Sequence, residues 1–464
     1  MKKIFILAVI FGISLSGMDG FSQEKGANPT LTLEECIQLA LKNRPELEMA
    51  AMDIRNAEHQ INEAKSYYYP RLNLNAGYTR FNRPTTFDVD LDVSEITRPV
   101  NDALGSYGIN LPSSIQQRIE VGKTNWYSVI LDLNQPLYTF GRIKEGVKLA
   151  RLGHSITLNQ KEKKKREIIS EVKKGYYQFL FTKEIHQLMK EAEVRANVVA
   201  RMVKLNYEIS IPEKEDKGTT RIDYLKSKIF HSEIKARLSE MGKNLRLAEL
   251  ALKMTVGVNR DYPLSVVESP LDSIPMTLFH SQTLKEKARE RNIDLKNLDL
   301  GVQLFDSKRR AAKKEYLPKI GLQGQYIGPE DRYGLDHFWY LGIGITMPIF
   351  DGFLTKAKVG QAEAQFQKTR SQKLQLEAAL AAQIDQLHST LTELQERAKI
   401  LQGAIHEAQE RTQLAADGYS VGVTEYDELL LAQRTELEMK SAYLQCLYLY
   451  QMALSEMELT AGDL

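Results

Sequence analysis

The sequence predicts a mainly α-helical protein with a transmembrane β-barrel part, built from two copies of one helix-and-strand unit. Three observations carry this. Residues 64–78 reappear in register at 312–326, with Ala64 and Ala312, Lys65 and Lys313, Pro70 and Pro318, and Tyr78 and Tyr326 at matching places. Two stretches without proline, 137–211 and everything after Pro348, leave room for very long helices, because proline breaks helix interiors. Four runs of about ten residues alternate apolar with small or polar side chains, the length and period of a lipid-facing barrel strand.

In chain order, the first 22 residues read as a secretory signal. Lys2 and Lys3 precede an apolar run from Ile4 to about Leu15, too short to span a bilayer as a helix. Neither Cys36 nor Cys446 lies at the expected cleavage junction, so no lipid anchor is expected there; the two are read as unpaired core thiols, with a disulfide possible but not implied. Residues 23–69 form an N-terminal periplasmic helix, its helical part at 33–68. A first β-hairpin with a long outer loop at 82–123 occupies 70–136. A helical hairpin fills 137–256, with a long helix ending near residue 210 and a half-length helix at 219–256. An irregular crossover follows at 257–283, with Pro263, Pro270 and Pro275. A half-length helix lies within 284–317, a second β-hairpin within 318–348, and a second helical hairpin within 349–464.

The long helices carry a heptad seam. Leu380, Ile384, Leu387, Leu391, Leu394, Ala398, Leu401, Ile405, Ala408, Thr412, Ala415 and Tyr419 alternate spacings of four and three. Ile185, Met189, Ala192, Ala196, Val199 and Val203 repeat that spacing in the first half. A helix of about 65 residues reaches ~100 Å, so it must pack along others of its kind. The strands place Leu72, Leu74, Ala76 and Tyr78 on one face, then Tyr127, Val129, Leu131 and Leu133, then Ile320, Leu322 and Tyr326, then Trp339, Leu341, Ile343, Ile345 and Met347. Tyr78, Phe81, Trp126, Tyr127, Tyr138, Tyr326, Trp339 and Phe350 fall at strand ends, as an aromatic girdle would. Pro70, Pro136, Pro318 and Pro348 are read as helix–strand junctions. Four strands do not close a barrel, and open edges are not tolerated in lipid, so the chain must oligomerise, with eight strands as a dimer or twelve as a trimer.

Charge excludes other classes. With 62 Lys and Arg against 60 Asp and Glu, the formal net charge is +2, which gives nucleic-acid binding no electrostatic support. The basic run at residues 161–166 reads as a solvated helix face. His154, His186, His231, His388 and His406 stand singly without metal-ligand spacing, and no phosphate loop or nucleophile motif is present. No enzyme activity, metal or cofactor is expected.

Two local sequences then bring a resemblance. Gly418-Tyr419-Ser420-Val421-Gly422-Val423-Thr424-Glu425-Tyr426-Asp427-Glu428-Leu429 resembles the periplasmic tip motif of the outer-membrane efflux proteins, the TolC-like channels, and Leu33-Glu34-Glu35-Cys36-Ile37-Gln38-Leu39-Ala40-Leu41 resembles their opening helix. The first-half tip, Gly218-Thr219-Thr220-Arg221-Ile222-Asp223, aligns Gly218 with Gly422 and Asp223 with Asp427. Gly422 is expected to take the positive φ that ends one helix, and Thr424 to cap the next.

The resemblance implies a homotrimer with a shared 12-strand barrel, continued by an α-helical tunnel. It implies a periplasmic adaptor, an inner-membrane pump of RND or ABC type, and outer-membrane lipid as partners. Gly218, Thr219, Asp223, Gly422, Val423, Thr424, Tyr426, Asp427 and Glu428 would form the gate and adaptor contact. The family's common acidic position falls on Leu431, so Asp427 and Glu428, about one turn earlier, stand as candidates for a negative ring. The first tip departs through a charged insert, Ile211-Pro212-Glu213-Lys214-Glu215-Asp216-Lys217. Two other readings stay open: the channel of a type I protein secretion system, and a periplasmic coiled-coil scaffold without a pore.

Overall fold

The computed structural model describes residues 30–121, 124–209, 219–263, 265–266, 270–276, 280–328 and 338–463. The signal at 1–22, Gly218, the insert at 211–217 and residues 329–337 of the second outer loop lie outside the described residues. The elements run β1 (Thr30–Leu31), α1 (Leu33–Asn43), α2 (Pro45–Ser66), β2 (Arg71–Arg80), β3 (Thr85–Asp92), α3 (Ser94–Leu104), β4 (Ser114–Val121), β5 (Asn125–Tyr138), α4 (Arg142–Ile209) and α5 (Arg221–Val256). They continue with β6 (Ser265–Val266), α6 (Ser281–Arg291), α7 (Ile293–Lys313), β7 (Lys319–Gly328), β8 (Phe338–Thr346), α8 (Leu354–Ser420) and α9 (Tyr426–Ala461). No described helix is long and apolar enough to cross a membrane.

The long rods form where the proline-free stretches allow them. α4 has 68 residues and α8 has 67, each about 100 Å long. Every position of the α8 seam is buried or half-buried, with Ile384 and Leu391 at 0% and 2% exposure. The main core sits at mid-height, where Ile168, Val172, Tyr176 and Leu180 of α4 meet Leu252 and Val256 of α5, Ile384 and Leu394 of α8, and Tyr450 and Met457 of α9. Each rod has half-length neighbours: α2, α7 and α5 along α4, and α7, α6 and α9 along α8.

Several expectations are corrected. The first half-rod is two helices, because Pro45 lacks an N–H and starts a new helix after extended Arg44. The half-rod within 284–317 breaks at Asn292, whose side chain accepts from the N–H groups of Asp294 and Leu295 while its amide donates to the Thr460 carbonyl at 3.0 Å. Pro136 is not a junction: β5 runs two residues beyond it, with a register irregularity between Pro136 and Tyr138. Pro70 and Pro318 do immediately precede β2 and β7, and Pro348 follows the end of β8. The segment at 82–123 is not a plain loop. It holds the antiparallel β3–β4 hairpin and α3, with Phe87, Leu91, Ile115 and Ile119 on one hairpin face and an Asp88–Arg118 ion pair on the other. The crossover contains β6, which pairs in parallel with β1.

The basic run is only partly a solvated face. Lys163 reaches Asp294 at 2.7 Å, and Arg166 donates to the Gly462 carbonyl at 3.2 Å, so both tie α4 to neighbouring segments.

The two repeats leave the sheet by the same device. Phe140 and Gly141 (φ +50° and +78°), and Gly352 and Phe353 (φ +64° and +66°), are paired left-handed residues directly ahead of α4 and α8. Left-handed backbone is costly for a phenylalanine, so the surrounding structure must hold it. The sequence signal was the Phe-Gly and Gly-Phe dipeptides after the strands.

Candidate functional site: sheet face and helix tips

Two regions bear on function, at opposite ends of the rods. At one end, β2, β5, β7 and β8 form a single antiparallel sheet in the order β2-β5-β7-β8. The register joins the alternations of all four strands. Leu72, Leu74, Ala76 and Tyr78 lie opposite Leu133, Leu131, Val129 and Tyr127, while Leu131 faces Tyr326, and Leu322 faces Ile343. One face is therefore apolar from edge to edge, and it is bare: Leu74, Ile343 and Ile345 are 67%, 69% and 71% exposed. The opposite face carries Asn73, Asn75, Asp132, Asn134, Gln323 and Gln325. Asp132 accepts hydrogen bonds from Asn75 at 2.8 Å and Gln325 at 2.7 Å. Tyr78 and Tyr127 are in ring contact at 5.0 Å near the outer end of this sheet.

At the other end the helices turn back. α8 ends in a Schellman turn: Gly422 has φ +77°, its N–H donates to the Tyr419 carbonyl at 3.2 Å, and the Val423 N–H donates to the Gly418 carbonyl at 2.8 Å. Gly418 is fixed by space rather than φ, since a Cβ there would collide with the Thr424 hydroxyl. Thr424 does not cap α9. That helix begins one residue later than the repeat predicts, with Glu425 at the cap position and no side-chain cap bond. The first tip keeps the expected chemistry one residue beyond Thr219: the Thr220 hydroxyl accepts from the Asp223 N–H at 3.2 Å, and the Asp223 carboxylate accepts from the Thr220 N–H at 2.9 Å.

The two tips touch. Thr219 of the first tip lies 3.2 Å from the Tyr419 phenol of the second, while within the first tip Tyr207 stacks on Tyr224 and within the second Tyr419 meets Tyr426 edge-on. Val199, Val203, Ala415, Tyr419, Tyr426, Leu429 and Ala432 make a small core behind them. Burial pushes the Tyr426 phenol pKa up, with the neighbouring Tyr419 adding to it. A cleft of about 690 Å³ opens between the tips, lined by Thr219, Asp223, Lys226, Tyr419, Thr424 and Asp427. Both candidate acids are paired. Lys226 holds Asp427 at 2.6 Å, and Arg411 holds Glu428 at 2.8 Å. The hydrogen bond that Lys226 donates to Asp427 raises the Lys226 pKa. Leu431 is 51% exposed, and Val421 and Val423 project further, at 73% and 83%. The sequence reading missed Lys226, Arg411 and Tyr207; each lies about one helical turn or more from the glycine motifs and carries no local signature.

Cys36 and Cys446 are buried free thiols; Cys36 is pushed up to about 11 by burial, with Glu35 adding to the shift. His231 is 2.8 Å from Glu193, and no cluster of potential metal ligands occurs among the described residues.

A bare apolar sheet joined to rods of this length defines an outer-membrane channel type of protein, and the comparisons agree. The sequence matches the family described as Outer membrane efflux protein over residues 36–209 and 284–463, and the chain belongs to that family. Its fold and family are those of channels of the outer membrane rather than of enzymes. Among curated relatives, the chain is 24% identical over 476 residues to the outer membrane protein TolC of Escherichia coli (strain K12), covering 97% of this chain and 84% of that protein. TolC of Salmonella enteritidis is 23% identical over 474 residues with the same coverage. Among solved structures, the outer membrane protein VceC of Vibrio cholerae superposes with a TM-score of 0.72 at 18% identity, covering 93% of this chain and 96% of that one, which shows the shared fold.

Proposed function

We propose that three copies of this chain form the outer-membrane exit duct of a tripartite efflux system. The observation that carries this is the sheet. Its apolar face spans all four strands, yet β2 and β8 each pair on one side only within the chain. A sheet with two open edges cannot stay in lipid, where unsatisfied backbone groups cost several kcal/mol each. Pairing β8 of one copy with β2 of the next would close twelve strands, and the rods below would wall a tunnel through the periplasm. The stretch at 257–283 would cross between the repeats at mid-height. Transport is passive in this chain; a periplasmic adaptor would link it to an inner-membrane pump of RND or ABC type that supplies the energy.

The tips would close the periplasmic entrance and receive the adaptor. Gly218, Thr219, Asp223, Gly422, Val423, Thr424, Tyr426, Asp427 and Glu428 are the residues assigned to that role. Lys226 and Arg411 would hold the acids in the closed state, and opening would break the Lys226–Asp427 tie between the repeats. The reading is tested by fractionating membranes, resolving heat-modifiable trimers, and identifying the adaptor and pump that co-purify. Small-molecule pumps in the pull-down support efflux, and a peptide-exporting pump would move the assignment to protein secretion. Monomers confined to the periplasmic fraction would overturn the channel itself.

A further inference from the structure

The polar face of the barrel sheet holds a single carboxylate. Across β2, β5, β7 and β8 the only acidic residue is Asp132. It sits opposite Asn73 on one side and Gln325 on the other. Its two oxygens accept from neutral amides, Asn75 at 2.8 Å and Gln325 at 2.7 Å, so three strands fix its position, and among the described residues no ion pair compensates its charge. Arg71 and Lys319 share this face at the helix-side ends of their strands, opposite Asn134 and Thr346. The Arg71 guanidinium lies over the Tyr67 ring, 4.5 Å from its centre, and is exposed.

We propose that, in the assembled channel, Asp132 forms an acidic ring inside the barrel, in series with a basic ring of Arg71 and Lys319, and that these rings set the charge preference of the membrane-spanning stretch. The inference rests on the trimeric-channel reading above. Twelve strands at the usual spacing and tilt enclose a lumen with a backbone radius of about 12 Å. Three carboxylates at that distance act across the whole lumen when the screening length is ~30 Å, near 0.01 M salt, and across almost none of it when the length is ~3 Å, at 1 M. Removing the acidic ring leaves the lumen purely basic and should favour anions.

The test is the reversal potential of full-length trimers in planar bilayers under a KCl gradient. At low salt, Asp132→Asn should lower the potassium-to-chloride permeability ratio about threefold, and near 1 M salt the difference should vanish. Arg71→Gln should shift the ratio the other way, and it carries the test if the first variant does not assemble. A cysteine variant, Asp132→Cys, labelled with a negatively charged thiol reagent should recover the wild-type ratio, since Cys36 and Cys446 are buried. Reversal potentials that stay the same in the Asp132 and Arg71 variants at low salt overturn the ring assignment and leave the channel reading standing. Wild-type protein that forms no channel overturns both.

Discussion

The ammonium of Lys226 on α5 stands 2.6 and 2.7 Å from the two carboxylate oxygens of Asp427 on α9, joining the repeats at their tips across 201 residues of sequence. Arg434 and Glu233 repeat the α9–α5 link higher up, at 3.1 Å, with the Arg434 guanidinium over the Phe230 ring. The tip tie is exposed, so its value lies in geometry more than in stability.

Lys226→Ala should therefore raise single-channel conductance or open probability while the thermal midpoint stays near wild type. The hydrogen bond that Lys226 donates to Asp427 raises the Lys226 pKa, so the tie is complete below the ordinary lysine value of about 10.4 and fades only as pH rises through the higher folded value. Conductance should stay flat through neutral pH and rise at strongly alkaline pH in wild type alone. A variant with unchanged conductance would remove Lys226 from the gate.

Glu184 on α4 accepts a hydrogen bond from the Leu271 N–H of the crossover at 2.7 Å. Burial, with Asp272 adding to it, raises its pKa, so the folded state disfavours the ionised form. That penalty is absent below the unfolded value of about 4.3 and fully present above the raised folded value. Glu184→Gln keeps the acceptor and removes the charge. It should be neutral near pH 4 and stabilising at pH 8, read as thermal midpoints in detergent.

The tips should respond unequally to the same change. Thr220→Ala removes a capping box and should cost about 1 kcal/mol of local stability. Thr424→Ala removes no cap and should fall within about 0.5 kcal/mol. Gly418→Ala should disorder the second tip, and Thr424→Ala placed beside it should relieve the clash with the Thr424 hydroxyl. Hydrogen exchange at the tip helices separates these outcomes.

Arginine placed on the two sheet faces should behave differently. Ile343→Arg puts a charge on the apolar face near mid-strand and should cost about 2–4 kcal/mol in lipid. Gln323→Arg, one position along β7 from Leu322, the partner of Ile343, and on the polar face, should fold normally. Urea unfolding in vesicles or assembly yield reads both; equal costs would mean that the apolar face does not meet lipid.

Much of this architecture is legible because strand alternation and heptads are local patterns. The faces of Leu72 to Tyr78 and of Trp339 to Ile345 read directly, as does the α8 seam. The β3–β4 hairpin was also written as an alternation, with Phe87, Val89 and Leu91 opposite Ile119, Gln117 and Ile115, but interleaved charges and a stretch with Pro99 and Pro112 gave it the look of a loop. Pro45 announces its helix break. Asn292 does not, because the partner of its amide, the Thr460 carbonyl, comes from 168 residues away. The site reads less well for the same reason. Gly422 carries its own conformational signal, whereas Lys226 and Arg411 matter only through the acids that folding brings to them.

The pairing of β5 with β7 has a consequence for symmetry. Within one chain it stitches the last strand of the first repeat to the first strand of the second, over nine paired positions. A contact between β8 of one copy and β2 of another would be the same stitch, again last strand to first. A closed ring of three chains is then, strand for strand, a ring of six half-chains, with every second seam made continuous by the peptide bond. Chains cut within residues 257–283 and co-expressed as two pieces would keep every seam of that hexamer.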